Sequence, residues 1–213
     1  MKGREKAMQP ATAVILSGGR NSRMKANKAF LEVESRPLIE GLVEKLGRVF
    51  PEVVVVTNEP EQYSHLGVKV VTDIIPRQGP LSGMHAGLTA ATHRNSFVVA
   101  CDMPFVESRL AEYLVEIAGD YDAVIPMVDG YYQPLYAVYA KTCLPFIEQC
   151  LREQVYQIIA FYSQVKVRSV GETELAAYAQ VDRVFFNVNT PQELEAAREM
   201  ATGRSDQGAA RQG

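Results

Sequence analysis

Five near-continuous apolar runs recur along the first 127 residues: ATAVILS (11–17), EVVVVTN (52–58), VKVVTD (68–73), SFVVACDMP (96–104) and DAVIPM (122–127). They lack the alternation of a sheet wetted on one side. Strands covered on both faces carry such runs. Between them lie segments with helical periodicity. PLIEGLVEKLGRVF (37–50) repeats Leu38, Leu42, Leu46 and Val49, with Pro37 suited to a first turn. SGMHAGLTAATHR (82–94) predicts a helix of small residues able to approach its neighbours closely, and ESRLAEYLVEIA (107–118) a third helix. Strands alternating with helices imply a mostly parallel α/β sheet with helices on both faces.

Past residue 127 the pattern changes. YYQPLYAVYA (131–140) is aromatic and predicts a strand broken at Pro134. A helical region is expected over 142–161, a strand at 165–170 and a helix at 172–179. FFNVNTPQELEAAREM predicts a short strand, a turn and a last helix. Thr190 fits the cap, Pro191 the first turn and Glu193 the reciprocal capping position. No repeat or low-complexity linker appears, so one domain over 11–201 is expected, between a flexible extension (1–10) and a flexible tail (202–213).

Composition narrows this picture. Hydrophobic residues make up 47% and the formal net charge is -3, which is ordinary globular chemistry and weighs against bulk nucleic-acid binding. Cys101, Cys143 and Cys150 match no common metal spacing and suit a reduced compartment. MKGREKAMQP lacks the apolar core of a secretory signal, and no run is long enough to span a bilayer. A cytoplasmic protein with no membrane partner is the expectation.

Chemistry concentrates where the runs end. Ser17, Gly18 and Gly19 follow the first strand, and Arg20, Arg23, Lys25 and Lys28 crowd the next stretch. Bare backbone donors beside cations suit a polyphosphate. Neither the G-x-G-x-x-G fingerprint nor the P-loop is present. Asp73 closes the third run and Asp102 the fourth, with Pro104 turning the chain away. A carboxylate opposite a phosphate cradle suits Mg²⁺ held jointly with substrate phosphates. Asn58, at another strand end, carries the paired donor and acceptor that can read a base or ribose. Gly79, Pro80 and Gly83 lead into a helix, a second place for an anion or base edge. His65, His85 and His93 form no metal or catalytic set. Ser17 and Ser22 lack an evident base. Cys101 is read as packing, and so is most of the tyrosine cluster at 131–139, although such rings also suit a flat substrate.

The stretch LSGGRNSRMKANKAFL resembles the opening motif of nucleotide-sugar-pyrophosphorylase-like nucleotidyltransferases, and is most similar to the molybdenum cofactor guanylyltransferase family, with its approximate pattern L-x-G-G-x-S-x-R-M-G-x-D-K. VVTNE, VVTD, GPLSGMHAGL, VVACDMPF, QPLYAVY and FFNVNTPQEL follow in the order of that family. The resemblance implies a three-layer α/β/α fold with a Rossmann-like sheet, and transfer of GMP from GTP to molybdopterin with release of pyrophosphate. It implies that Leu16, Ser17 and Gly18 hold the nucleotide, that Gly19 leaves room for the purine, and that Lys28, helped by Arg23, meets phosphate. Asn58, Asp73 and Gly83 would complete the nucleotide site. Asp102 would carry Mg²⁺. Asn187 and Asn189 would face the pterin phosphate or order the metal. GTP and molybdopterin are the implied partners, with transient contacts to molybdopterin-handling proteins and molybdoenzyme chaperones. Lys25 and Asn27 depart from the pattern, standing where glycine and aspartate are usual. A cytidylyltransferase and a non-catalytic nucleotide-binding homologue are the alternative readings. In related enzymes of other specificity the first motif usually reads L-A-A-G, whereas here it is LSGG.

Overall fold

The computed structural model describes residues 10–18, 27–75 and 79–203. Gly19, Arg20, Arg23 and Lys25 lie outside them, as do the expected flexible ends apart from Pro10, Thr202 and Gly203.

Ten strands and seven α-helices make up the described fold. The strands are β1 (Ala11–Leu16), β2 (Glu32–Val33), β3 (Arg36–Pro37), β4 (Glu52–Val56), β5 (Lys69–Val71), β6 (Asn95–Ala100), β7 (Ala123–Val128), β8 (Tyr131–Tyr132), β9 (Tyr136–Ala140) and β10 (Val167–Gly171). The helices are α1 (Leu38–Gly47), α2 (Pro80–Ala90), α3 (Ser108–Glu116), α4 (Leu144–Arg152), α5 (Glu172–Leu175), α6 (Val181–Val184) and α7 (Pro191–Thr202). Short 3-10 turns at Lys28–Phe30, Pro60–Leu66, Lys141–Cys143 and Ile158–Gln164 complete the order.

The main sheet runs β10-β7-β9-β6-β1-β4-β5, with β8 paired to β7. β1 is parallel to both β4 and β6, and β4 to β5. Only β9 and the short β8 run against their neighbours. The chain moves outward from β1 to β4 and β5, then returns to the other side of β1 as β6. That reversal is a topological switch point, where open α/β sheets leave a crevice beyond the carboxyl ends of their strands.

Side-chain alternation sorts the core into two faces. Ala11, Ala13 and Ile15 of β1, with Val53 and Val55 of β4, pack against Ile39, Leu42 and Leu46 of α1 and Leu110 and Leu114 of α3. Val14, Leu16, Val54 and Val56 point the other way, onto Leu81 and Met84 of α2 and Ile147 and Leu151 of α4. The three-layer α/β/α arrangement follows. A smaller cluster of Val33, Leu38, Phe105, Val188, Leu194 and Ala197 fastens α7 to the hairpin β2–β3. The small residues of α2 do what its composition predicts. A Cβ at Gly87 would lie 2.3 Å from Val14 Cγ1, so only glycine permits this approach.

Several predicted elements differ. The helical region 142–161 is α4 alone, followed by a loop in which Gln154 takes φ 60°, and then a 3-10 turn. The helix expected over 172–179 shortens to α5. No strand forms within 185–188; Val188 instead makes a single backbone bond to the chain beyond β6, which leaves no ladder to extend. The hairpin β2–β3 had no signal, because Glu34 and Ser35 take positive φ where Asn-Gly would normally advertise the turn. The aromatic segment divides at Pro134 into β8 and β9. Tyr136 and Tyr139 are buried in the core, whereas Tyr131 is 75% exposed.

Candidate functional site

Backbone pairing assembles the site. Ser17 N–H donates to Val56 O at 2.8 Å and Cys101 N–H to Leu16 O at 3.0 Å, so the β1 pairings run past both strands' ends. Asp102 therefore emerges beside Ser17 at the switch point. Val188 N–H then donates to Asp102 O at 2.9 Å, laying the 187–189 segment over this edge. Three segments far apart in sequence thus meet.

Lys28 unites them. Its Nζ donates to Asn189 Oδ1 at 2.5 Å and to Asp102 Oδ2 at 3.2 Å. The Lys28 and Asp102 side chains are 17% and 22% exposed, so the pair is neither dry nor freely solvated. A charge-assisted bond of this kind contributes about 1.5–3 kcal/mol when well shielded. Asn189 is held in turn. Glu193 at the third position of α7 accepts from the N–H groups of Asn189 (2.7 Å) and Thr190 (2.8 Å), while Thr190 Oγ1 accepts from Glu193 N–H at 3.2 Å. The expected capping box is present, and it also fixes Asn189. The Asn189 N–H bond, aided by Thr190 and the Lys28 charge, holds the Glu193 carboxyl below its ordinary value.

The remaining candidates fall around this centre. Asn58 and Asp73 form their own pair beyond β4 and β5: Asn58 Nδ2 donates to Asp73 Oδ2 at 3.1 Å. Gly83 lies inside α2, buried, where an added Cβ would meet Leu16 Cδ2 at 3.4 Å and Asp73 Oδ1 at 3.6 Å. It therefore packs beneath the candidate site. The Leu16 side chain points into the core, so its backbone is what the site can use. Among the described residues, a Cβ at Gly18 would meet nothing within 4 Å. Asn187 turns back on its own chain, donating to Phe185 O at 3.1 Å, and is not brought to Lys28. Gly19 and Arg23 are outside the described residues.

Tyr63 escaped the sequence reading, and Asn27 entered it only as a departure from the family pattern. Tyr63 is fully buried, and its hydroxyl shares a 2.8 Å hydrogen bond with Ser17 Oγ. Asn27 donates to the same hydroxyl at 3.1 Å, and its Oδ1 accepts from Ala29 N–H at 3.2 Å to cap the turn bearing Lys28. Nothing in PEQYSHL marked the tyrosine, because its partners lie 46 and 36 positions away.

Other chemistry is quiet. Burial pushes the Cys101 thiol up to about 11, which leaves it protonated near neutral pH. The three histidines face three different glutamates: His65 with Glu40 at 3.4 Å, His85 with Glu148 at 3.3 Å, His93 with Glu52 at 3.7 Å. Among the described residues no cluster of three or more His, Cys, Asp or Glu side chains forms a metal cage, and no helix is long and apolar enough to cross a membrane.

A doubly wound sheet with cation, carboxylate and carboxamide converging at its switch point defines a nucleotide-handling α/β protein. The family model described as the MobA-like NTP transferase domain matches residues 13–167. The chain is 45% identical over 201 residues to a probable molybdenum cofactor guanylyltransferase of Pelotomaculum thermopropionicum, covering 92% of this chain and 98% of that one. It is 37% identical to a protein of the same description from Clostridium perfringens, covering 86% and 94%. The crystal structure of molybdopterin-guanine dinucleotide biosynthesis protein A from Archaeoglobus fulgidus superposes with a TM-score of 0.79 at 27% identity, covering 90% of this chain and 99% of that one. The chain belongs to the MobA-like NTP transferase family.

Proposed function

We propose that this protein transfers GMP from GTP to molybdopterin, releasing pyrophosphate. The observation that carries the reading is the meeting of Lys28, Asp102 and Asn189 at the β1/β6 switch point. The similarity to guanylyltransferases over nearly the whole chain supports the choice of substrates.

The terminal phosphate oxygen of molybdopterin attacks the α-phosphorus of GTP. A new P–O–P bond forms as the α–β bridging bond breaks, and the electron pair leaves with pyrophosphate. A phosphate monoester is largely ionised at neutral pH, so no strong general base is required. That agrees with histidines engaged elsewhere. Alignment and charge neutralisation then carry the rate. Lys28 supplies the positive charge, and Asn189 and Asp102 aim it. Asn58 and Asp73, with the Ser17–Gly18 backbone, complete the nucleotide side.

Mg²⁺ belongs to the same reading. The hard oxygens of Asp102 and Asn189 already face one cationic centre, the Lys28 ammonium, and a single carboxylate with substrate phosphates is an adequate donor set. Asp102, with Asn189 beside it, would hold the ion, which when bound supplies further neutralisation of phosphate charge. The product would pass to molybdopterin-handling proteins and chaperones of the cytoplasm. The test is reconstitution with purified molybdopterin, Mg²⁺ and either GTP or CTP. Pyrophosphate release with GTP and not with CTP is expected. Preference for CTP, or release that needs no acceptor, would refute the proposal.

A further inference from the structure

We infer that Tyr63 is a positioning residue that sets Lys28 in register with the end of β1. The inference rests on the reading of the site as a GTP site. Tyr63 lies in the 3-10 turn Pro60–Leu66, between β4 and β5, and takes no part in the chemistry above. Its hydroxyl is a single atom bonded to both Ser17 and Asn27. Ser17 follows the last residue of β1. Asn27 caps the turn that begins at Lys28, through the bond from Ala29 N–H. One buried oxygen therefore couples the strand end to the turn whose lysine reaches Asp102 and Asn189. The ring is fixed as well, with its centroid 5.1 Å from that of Phe30 in the same turn.

The amide at position 27 suits all the groups around it. Asn27 Nδ2 faces three oxygens: Tyr63 Oη at 3.1 Å, Glu59 Oε2 at 3.3 Å and Gln62 Oε1 at 3.3 Å. An aspartate could still accept from the Tyr63 hydroxyl, but it would lose the bonds to Glu59 Oε2 and Gln62 Oε1 and set a second carboxylate beside Glu59. Asparagine at this place, a departure from the usual family pattern, is therefore matched to the glutamate it meets.

The energetic signature differs from that of a catalytic group. Without the hydroxyl, the turn carrying Lys28 samples positions off register. Bound nucleotide reselects the competent one, so the cost falls on apparent affinity. A net hydrogen-bond worth of about 0.5–1.5 kcal/mol corresponds to a rise of roughly two- to twelvefold in KM for GTP.

The experiment compares the full chain with Tyr63→Phe, Asn27→Ala and the double variant, reading kcat, KM for GTP and thermal midpoint. Amide hydrogen exchange over residues 28–31 is followed in parallel. The expected result is a raised KM with kcat within about twofold in Tyr63→Phe. The double variant is expected within about twofold of the worse single, because both changes break one coupling. Exchange across the 28–31 turn is expected to quicken while α1 is unaltered. A lowered thermal midpoint with KM unchanged would overturn the inference, as would multiplied single effects in the double variant. If the wild-type chain releases no pyrophosphate from GTP and molybdopterin, the functional reading fails. Exchange alone then judges the coupling: faster exchange supports it, and unchanged exchange in Tyr63→Phe overturns it.

Discussion

Replacing Gly87 with alanine tests the packing that sets α2 against the sheet. An added Cβ would sit 2.3 Å from Val14 Cγ1 and 3.2 Å from Val56 Cγ2. Comfortable carbon contacts lie near about 3.5–4.0 Å, so the gap must open by more than about 1 Å. Neither valine can swing clear. Both are buried, β-branched and fixed in central strands of the sheet. Overpacking of this kind costs about 1–3 kcal/mol, and this contact belongs at the upper end. Alanine returns about 1 kcal/mol of helix propensity. A net loss near 2 kcal/mol remains, or a fall of about 4–8 °C in thermal midpoint for a chain of this length. Gly83→Ala is the matched control. Its added carbon would find contacts of 3.4, 3.6 and 3.7 Å, which are ordinary, so the propensity gain stands and the midpoint should hold or rise. Calorimetry on both variants decides. A Gly87→Ala protein melting at or above the wild type would refute the reasoning, since the clash would then have been absorbed at no cost.

Asp102→Ala should reduce turnover by at least about 100-fold while lowering the thermal midpoint by only a few degrees, since one Lys28 bond is lost and the backbone bond from Val188 is kept; steady-state rates at saturating Mg²⁺ and calorimetry check this. Asn189→Ala removes the shorter of the two Lys28 bonds and should lower kcat/KM about tenfold. Asn27→Asp should raise KM for GTP, and adding Glu59→Gln should restore most of the loss, a cycle that measures the carboxylate repulsion directly. Stability should fall in acid. The Asn189 N–H bond lowers Glu193 from 4.5, and the Thr142 hydroxyl followed by the Lys166 N–H lowers Asp122 from 3.8. Both carboxyls are depressed on folding, so their contribution is complete above their unfolded values and is lost as pH falls through the lower folded ones. Urea midpoints between about pH 6 and pH 3 should show this, with a flatter profile for Glu193→Gln.

The sheet was legible because its strands are covered on both sides. Val53 to Val56 can only be a buried strand, and the reciprocal pattern of Thr190 and Glu193 marks a helix start by local rules alone. What could not be read depended on distant partners. Glu34 and Ser35 turn a hairpin because β2–β3 covers Leu194 and Ala197 of α7, a constraint absent from their own neighbourhood. Sequence order suggested that Lys28 and Asp102 belong together, and their 3.2 Å contact spans 74 positions. Tyr63 was invisible for the same reason in reverse: a tyrosine in a polar turn has no periodicity to reveal which oxygen its hydroxyl will find. Asn187 and Asn189, two residues apart, were read as a pair, yet only one reaches the lysine.

The reversed direction of β9 has a consequence for how the substrate range of this scaffold can change. Every parallel strand offers its finish to the crevice, but β9 offers its beginning. The Gln133–Leu135 bend stands against the exit of β6, where Ala100 N–H donates to Leu135 O at 3.1 Å. That wall of the crevice is thus a hairpin bend, with no helix to carry along. Residues could be gained or lost there, widening or narrowing that side of the crevice, while the side across β1, with Ser17 and Asn58, keeps its shape. The two walls of the crevice can change independently.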